Sequence, residues 1–257
     1  MSSNIPYISY SELKDWKFCS NYHKLTRIDG INGFTGNEYT AFGTSVHSVC
    51  DKKMLNEQFD DNEYFLSEFE KNLSKLDEET KTDPKLIEQM RDAGIRLNPY
   101  IIPAVKEKFG KYEVISTEEK LMVPIEGTNY NFKGYVDLVI KTEDGKYHVI
   151  DWKTCSWGWD MRKRTDPMVT YQLTLYKKFF ALKHGIDPSN VVTHFALLKR
   201  TAKKDFVEFV DVSSGERKTN NAMNLLMLAI KNISAKKVIK NRLSCGRCNF
   251  YKTSHCP

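Results

Sequence analysis

Hydrophobic positions along the chain change period near residue 110. Before it, apolar residues recur at three- and four-residue spacing, the period of a helix face. Residues 8–27 open on a cap-like Ser9 or Ser11, and the spacing of Leu13, Trp16 and Tyr22 predicts one helix face. A Gly/Asn-rich loop follows over 29–40. A helix is predicted from Thr44, with His47, Cys50 and Met54 along one side. Another, over 62–76, sets Leu66, Phe69, Leu73 and Leu76 in register. A further one runs 84–109, with a break near Pro99 and Pro103.

After residue 110 the pattern turns to β-branched runs bounded by turn residues. They predict strands at 112–125, 130–140 and 146–154. A helix over 166–184 takes Asp166 as N-cap and Pro167 as first helical residue, and puts Gln172 and Tyr176 on one face. Strands at 191–199 and 205–212 flank the basic turn 199–204. A last helix, 214–238, buries Ala222, Leu225, Leu226, Ala229 and Ile233. There is no internal repeat and no low-complexity segment. The pattern predicts one α/β domain, a central mixed β-sheet flanked by helices. Residues 1–110 form a helical cover, 111–212 the core, and 213–257 the final helix and a cysteine-rich tail.

The stretch from Gly134 to Lys153, GYVDLVIKTEDGKYHVIDWK, concentrates the chemistry. It reads as a hairpin, and its apolar strands carry Asp137 and Asp151. A carboxylate among valines and isoleucines is costly unless something pairs with it. Asp151 and Lys153, two apart on a strand, face one way and Trp152 the other. A two-residue Asp144-Gly145 turn would pair 137 with 152 and set the two acids on opposite faces. An odd loop or a bulge brings them together. Two such acids suit a hard divalent cation, Mg²⁺ or Mn²⁺, and the lysine suits phosphodiester hydrolysis. A lysine there can orient or deprotonate the attacking water, or stabilise the pentacovalent phosphate.

Composition narrows the class without choosing the reaction. The 257 residues are 40% hydrophobic and 28% charged, with a formal charge of +6. That charge permits an anionic partner such as nucleic acid. No apolar run is long enough to span a bilayer, and the first residues lack a signal-peptide pattern. The expectation is therefore no membrane association and a cytoplasmic location; the Lys- and Asn-rich composition suits a bacterial or phage-infected cell. Six cysteines stand at 19, 50, 155, 245, 248 and 256. Without a secretion signal, metal ligation or buried thiols are favoured over a disulfide framework. Trp157 and Trp159 precede Arg162, Lys163 and Arg164. Rings and charges together suit single-stranded nucleic acid.

Four short motifs, in order, now carry a resemblance. FGTSVH ends in His47, GYVD in Asp137 and IDWK in Lys153; QLTLY spans Gln172 and Tyr176. Together they resemble the PD-(D/E)XK nuclease superfamily, and within it the RecB-like exonucleases that carry an iron–sulfur cluster. That group includes CRISPR-associated exonucleases and AddB-type nuclease domains. Val136 stands where the namesake pattern has proline, and Asp151 where many relatives have Glu. The resemblance implies a restriction-endonuclease-like core. It implies metal ligation by His47, Asp137, Asp151 and the Trp152 backbone carbonyl, with Lys153 catalytic. Gln172 and Tyr176 would contact DNA or support the site. SYSELKDWKFC and CGRCNFYKTSHC resemble the segments that supply one distant cysteine and a cluster of three. Cys19, Cys245, Cys248 and Cys256 would then hold a [4Fe-4S] cluster, with Zn²⁺ as the alternative. The implied function is metal-dependent exonucleolytic cleavage of DNA, on single strands or ends. The rival is a non-catalytic or partner-dependent DNA-binding module of a recombination, repair or CRISPR-adaptation complex. The intact His–Asp–Asp–Lys set argues against the rival.

Overall fold

The computed structural model describes residues 5–31, 34–77 and 80–257. The first four residues, and 32 and 33 of the loop read over 29–40, lie outside them. The described chain opens on a strand that the periodicity does not reveal, β1 (Tyr7–Ser9). It runs directly into α1 (Tyr10–Phe18), where Ser9 is the N-cap and its hydroxyl accepts from the Glu12 N–H at 3.1 Å. Cys19 breaks the helix with extended backbone, and α2 (Ser20–His23) continues into a π-helical turn, Lys24–Ile28.

Helix α3 (Glu38–Met54) begins more than a turn before Thr44, which lies inside it. Asn37 is the true cap. Its side chain accepts from the Thr40 N–H, and Thr40 returns the bond, closing a capping box that outcompetes the later threonine. Gly43 is tolerated within the helix because β4 comes close: a Cβ there would stand 3.2 Å from Thr154 Oγ1. Next come α4 (Asp61–Leu73) and α5 (Pro84–Leu97). A single 3₁₀ turn holding Pro99 separates α5 from α6 (Ile101–Phe109), because proline has no N–H for the helical ladder.

The core elements are β2 (Tyr112–Pro124), β3 (Asn131–Thr142), β4 (Tyr147–Cys155), the small α7 (Met161–Thr165), α8 (Pro167–His184), β5 (Val191–Lys199), β6 (Val207–Asp211) and α9 (Glu216–Ser234). As expected, Asp166 caps α8 through the Met168 N–H. Strand β2 runs antiparallel along β3 from Thr142 to Asn131. The other edge of β3 is shared. There β1 lies parallel against Asn131–Lys133, and β4 antiparallel against Leu138–Lys141. Residues 134–137 have neither partner on that edge, so the sheet is notched between β1 and β4. Beyond β4, β5 is parallel and β6 antiparallel. A parallel neighbour requires a crossover, which α8 supplies.

Helices cover both faces. On one, Leu173, Phe179 and Phe180 of α8 and Leu226 of α9 pack against Val139, Val149 and Phe195. On the other, Val46, Phe65, Leu97 and Val105 of α3–α6 pack against Leu138, Ile140, Ile150 and Trp152. Each such fully buried side chain contributes roughly 1.5–3 kcal/mol. The result is the mixed α/β sheet flanked by helices that the pattern predicts.

Candidate active site

The hairpin loop is Glu143-Asp144-Gly145. Thr142 N–H donates to the Lys146 carbonyl at 3.0 Å, and Gly145 takes φ +79°, a conformation that favours glycine. Three residues, not two, set Leu138 opposite Ile150. Carried one step further, the register sets Asp137 opposite Asp151, as a shared metal demands. This is also where β3 loses its partner on that edge. The apolar alternation of β3 slips at the same point. Val136 joins the α8-side core, whereas Leu138 joins the α3-side core. Asp137 therefore sits between the two layers.

The side chains around the notch are held by oriented bonds. Trp152 N–H donates to Asp137 Oδ2 at 2.7 Å. His47, projecting from α3, has Nδ1 3.7 Å from the same oxygen. Asp151, 1% exposed, accepts the Gln172 amide on Oδ1 at 2.7 Å. Its Oδ2 faces the Lys153 ammonium at 2.6 Å as an ion pair, but has no aligned hydrogen bond. Gln172 also reaches the Tyr176 hydroxyl at 3.4 Å. Tyr176 fits only because residue 134 is glycine: a Cβ there would come within 2.8 Å of the tyrosine ring. All the residues expected at the site, His47, Asp137, Asp151, Trp152, Lys153, Gln172 and Tyr176, thus come together.

Burial sets the electrostatics. It raises the Asp137 carboxyl well above the carboxylate range, and the Asp151 charge raises it further. Asp151 is raised too, by burial, against the pull of Lys153. Burial works to lower the Lys153 ammonium, but the charges of Asp151 and Asp137 outweigh it and hold it above its ordinary value. His47 is lowered to about 4 by burial and then by Lys153, so its imidazole is neutral near pH 7 and free to ligate. Tyr176 is pushed up to about 12 by burial and Asp151, which keeps it a phenol.

Two acids that sequence reading passes over also stand here. Glu118 has φ +49° and lies between Thr117 and Glu119, which pair with Leu138 and Val136, so it faces Asp137 across the sheet. Its carboxyl is raised by burial and then by Asp151. Asp51 is raised to about 7 by burial and then by Glu118. It follows His47 by one helical turn, a spacing that could have flagged it. Glu118, in the ordinary strand sequence TEEK, gave no such signal.

Carboxyl groups crowd this notch, and one buried carboxyl oxygen, Asp151 Oδ2, lacks a hydrogen bond. Oxygen and imidazole donors of this kind fit a divalent cation. Among the described residues, no group of three or more His, Cys, Asp or Glu side chains is placed so as to hold a metal ion.

The cysteines meet at the opposite end of α1. Cys19, Cys245, Cys248 and Cys256 line one small cavity of about 20 Å³. The Asn241 N–H points to Cys19 Sγ at 3.3 Å, and the Asn21 amide to Cys256 Sγ at 3.6 Å. Donors aimed at sulfur suit thiolate ligands. Cys50 is fully buried in the α3 core and Cys155 is half-buried, both apart from this group. Of the basic loop, Arg162 and Lys163 are exposed on α7. Arg164 is tied to Glu208 and to the Trp159 carbonyl. Trp159 is buried against Phe195, whereas Trp157 is exposed. No helix among the described residues is long and apolar enough to cross a membrane.

Comparison with known proteins places the fold. A crystal structure from Eubacterium rectale, named "Putative exonuclease", matches with a TM-score of 0.63 at 14% identity, over 99% of this chain and 91% of its own. A second structure, SSO0001, is 16% identical over 80% of this chain and 91% of its own, with a TM-score of 0.39. No curated protein matches. The model of the PD-(D/E)XK nuclease superfamily matches residues 7–254, and the chain belongs to that superfamily.

Proposed function

We propose that this chain is a metal-dependent deoxyribonuclease, an exonuclease acting on single-stranded DNA or DNA ends. The observation that carries the reading is the placement of Asp137 and Asp151 at the notch, where the register of β3 and β4 runs out, beside His47 and Lys153. His47, Asp137, Asp151 and the Trp152 carbonyl would hold Mg²⁺ or Mn²⁺. When bound, the cation neutralises phosphate charge and lowers the pKa of water. Gln172 fixes the rotamer of Asp151 by donating to Oδ1, leaving Oδ2 for the reacting side. Trp152 N–H fixes Asp137 in the same way. Lys153 enters as an ammonium. Its role is to hold the attacking oxygen and to stabilise charge growing on the phosphate, rather than to begin as a free base.

The four clustered cysteines support a narrower placement, in the RecB-like iron–sulfur branch, with Cys19, Cys245, Cys248 and Cys256 as cluster ligands. Anaerobic purification should give a brown protein containing iron; a colourless protein containing zinc would refute the cluster. For the activity, the test is end-labelled single- and double-stranded DNA with Mg²⁺ or Mn²⁺. Nucleotides should be released from the ends, and Lys153→Ala should abolish release. An inert wild-type protein would count against the whole reading, and an active Lys153→Ala protein against the assigned role.

A further inference from the structure

The notch in the sheet does not stop at the acids. From Gln172 and Tyr176 it continues as a cavity of about 740 Å³ along the unpaired edge of β3, toward β1 and the start of α1. Its mouth brings two part-exposed rings and a cation together. Tyr7 on β1 and Tyr135 on β3 are 47% and 44% exposed. Between them stands the Lys133 ammonium, 4.3 Å from the Tyr7 ring centroid and 6.0 Å from that of Tyr135. Lys133 has no acidic partner among the described residues. The other cation of the cavity, Arg27, is engaged by Asp15 at 2.6 Å. Glu12, its acid, is likewise engaged, by His23 at 2.9 Å.

We propose that this cavity seats the single strand that leads into the cleavage site, with bases stacked on Tyr7 and Tyr135 and a phosphate on Lys133. The inference rests on the nuclease reading above and names where its substrate lies. The ligand class follows from the chemistry. A free ammonium flanked by two open rings offers a charge for phosphate and faces for bases. A duplex keeps its base faces stacked on one another, so only unpaired nucleotides can use those rings. The position follows from the fold. The cavity occupies the stretch of β3 that neither β1 nor β4 covers, and it ends on the side chain that holds Asp151. The 157–164 loop is the weaker candidate, because Trp159 is buried and Arg164 is already paired.

The test is fluorescence anisotropy of the full chain with a fluorescein-labelled thymidine oligomer, in Ca²⁺ to separate binding from cleavage. Tyr7→Ala with Tyr135→Ala should weaken binding about tenfold or more. Tyr7→Phe with Tyr135→Phe should keep it, which guards against a mere folding defect. Lys133→Gln should lower the slope of log affinity against log salt by about one. A blunt duplex should bind more weakly and lose little in the alanine variant. The proposal is overturned if the alanine pair binds like wild type, or if the phenylalanine pair is as weak as the alanine pair. Equal dependence of duplex binding on these residues would overturn it too. The two readings separate cleanly. A protein that binds the oligomer through these residues but cuts nothing removes the nuclease reading alone. One that cuts, but binds without them, removes the cleft alone.

Discussion

At Asp151 stability and function pull apart. Its carboxyl is raised by burial, so the folded state disfavours the ionised form that a metal site needs. The Asp151 charge in turn raises the neighbouring Asp137 carboxyl. Asp151→Asn keeps the shape and the Gln172 contact but removes the charge. In EDTA its melting temperature should rise, by roughly 2–4 °C for each kcal/mol recovered, while DNA cleavage is lost. Added Mn²⁺ should raise the melting temperature of wild type and leave that of Asp151→Asn unmoved. A wild-type protein indifferent to Mn²⁺ would show that these acids do not hold the cation. Gly134 poses a different constraint. Its missing Cβ leaves space that the Tyr176 ring occupies: a Cβ there would stand 2.8 Å from a ring carbon, closer than van der Waals contact allows. Gly134→Ala should displace that ring, cost about 1–3 kcal/mol in a denaturant melt by overpacking, and slow cleavage through Tyr176 and Gln172. An alanine variant with wild-type stability and rate would mean the ring has room to move at no cost.

Among the elements, those with a strong period were legible and those specified by one contact were not. The strands from β2 to β6 and helix α8 follow from β-branched runs, Asp166-Pro167 and turn residues. The demand for an odd hairpin loop followed from Asp137 and Asp151 alone. Strand β1 was hidden because three residues, Tyr7–Ser9, carry no period; only its pairing with Asn131–Lys133 makes it a strand. The start of α3 was misplaced because Thr44 resembles a cap as well as Asn37 does, and the reciprocal Thr40 bond decides. Glu118 was missed because its role depends on a left-handed backbone within β2. A histidine pair across β4, β5 and β6 was equally unreadable. His148 Nδ1 meets His194 Nε2 at 2.9 Å, and His194 Nδ1 meets Asp211 Oδ1 at 2.8 Å. Lys108 and the Phe109 ring of α6 close over them. Burial lowers His194 to about 4, against the pull of Asp211. A histidine whose folded pKa is depressed is neutral in both states near pH 7. Below about 6.5 the unfolded chain takes a proton that the folded one refuses. Stability should therefore fall between pH 6.5 and about 4, by up to about 3 kcal/mol from this residue. His47 adds to the same limb. Urea melts across that range should show a shallower loss in His194→Gln; an identical slope would mean that His194 protonates freely in the fold.

At the scale of the whole molecule, the two ends of the chain hold each other, and the cleft depends on that grip. Cys19 lies directly after α1, whose first turn and cap, Ser9 to Glu12, form one wall of the cavity beside Tyr7. The tail docks on the same corner. Ile239 N–H donates to Ser20 Oγ at 2.6 Å, and the Asn241 amide to the Phe18 carbonyl at 2.8 Å. The Phe250 ring rests on Tyr22, 5.7 Å between centroids. These contacts are few, and the cysteine cavity lies at their centre. A metal group held by four cysteines would close a loop from residue 19 to the tail, and its binding energy would become folding energy for this corner. The hairpin of β3 and β4 has no such dependence, since its strands are fixed by β2, β5 and the helices on both faces. The two sites should therefore respond differently to loss of one ligand. Cys248→Ser should lose its metal, lower the melting temperature and weaken anisotropy-detected binding of the thymidine oligomer. It should still cleave at saturating DNA, so KM should rise much more than kcat falls. A Cys248→Ser protein that keeps wild-type metal content and KM would show that the cysteines are ordinary buried thiols and that the tail holds α1 by its hydrogen bonds alone.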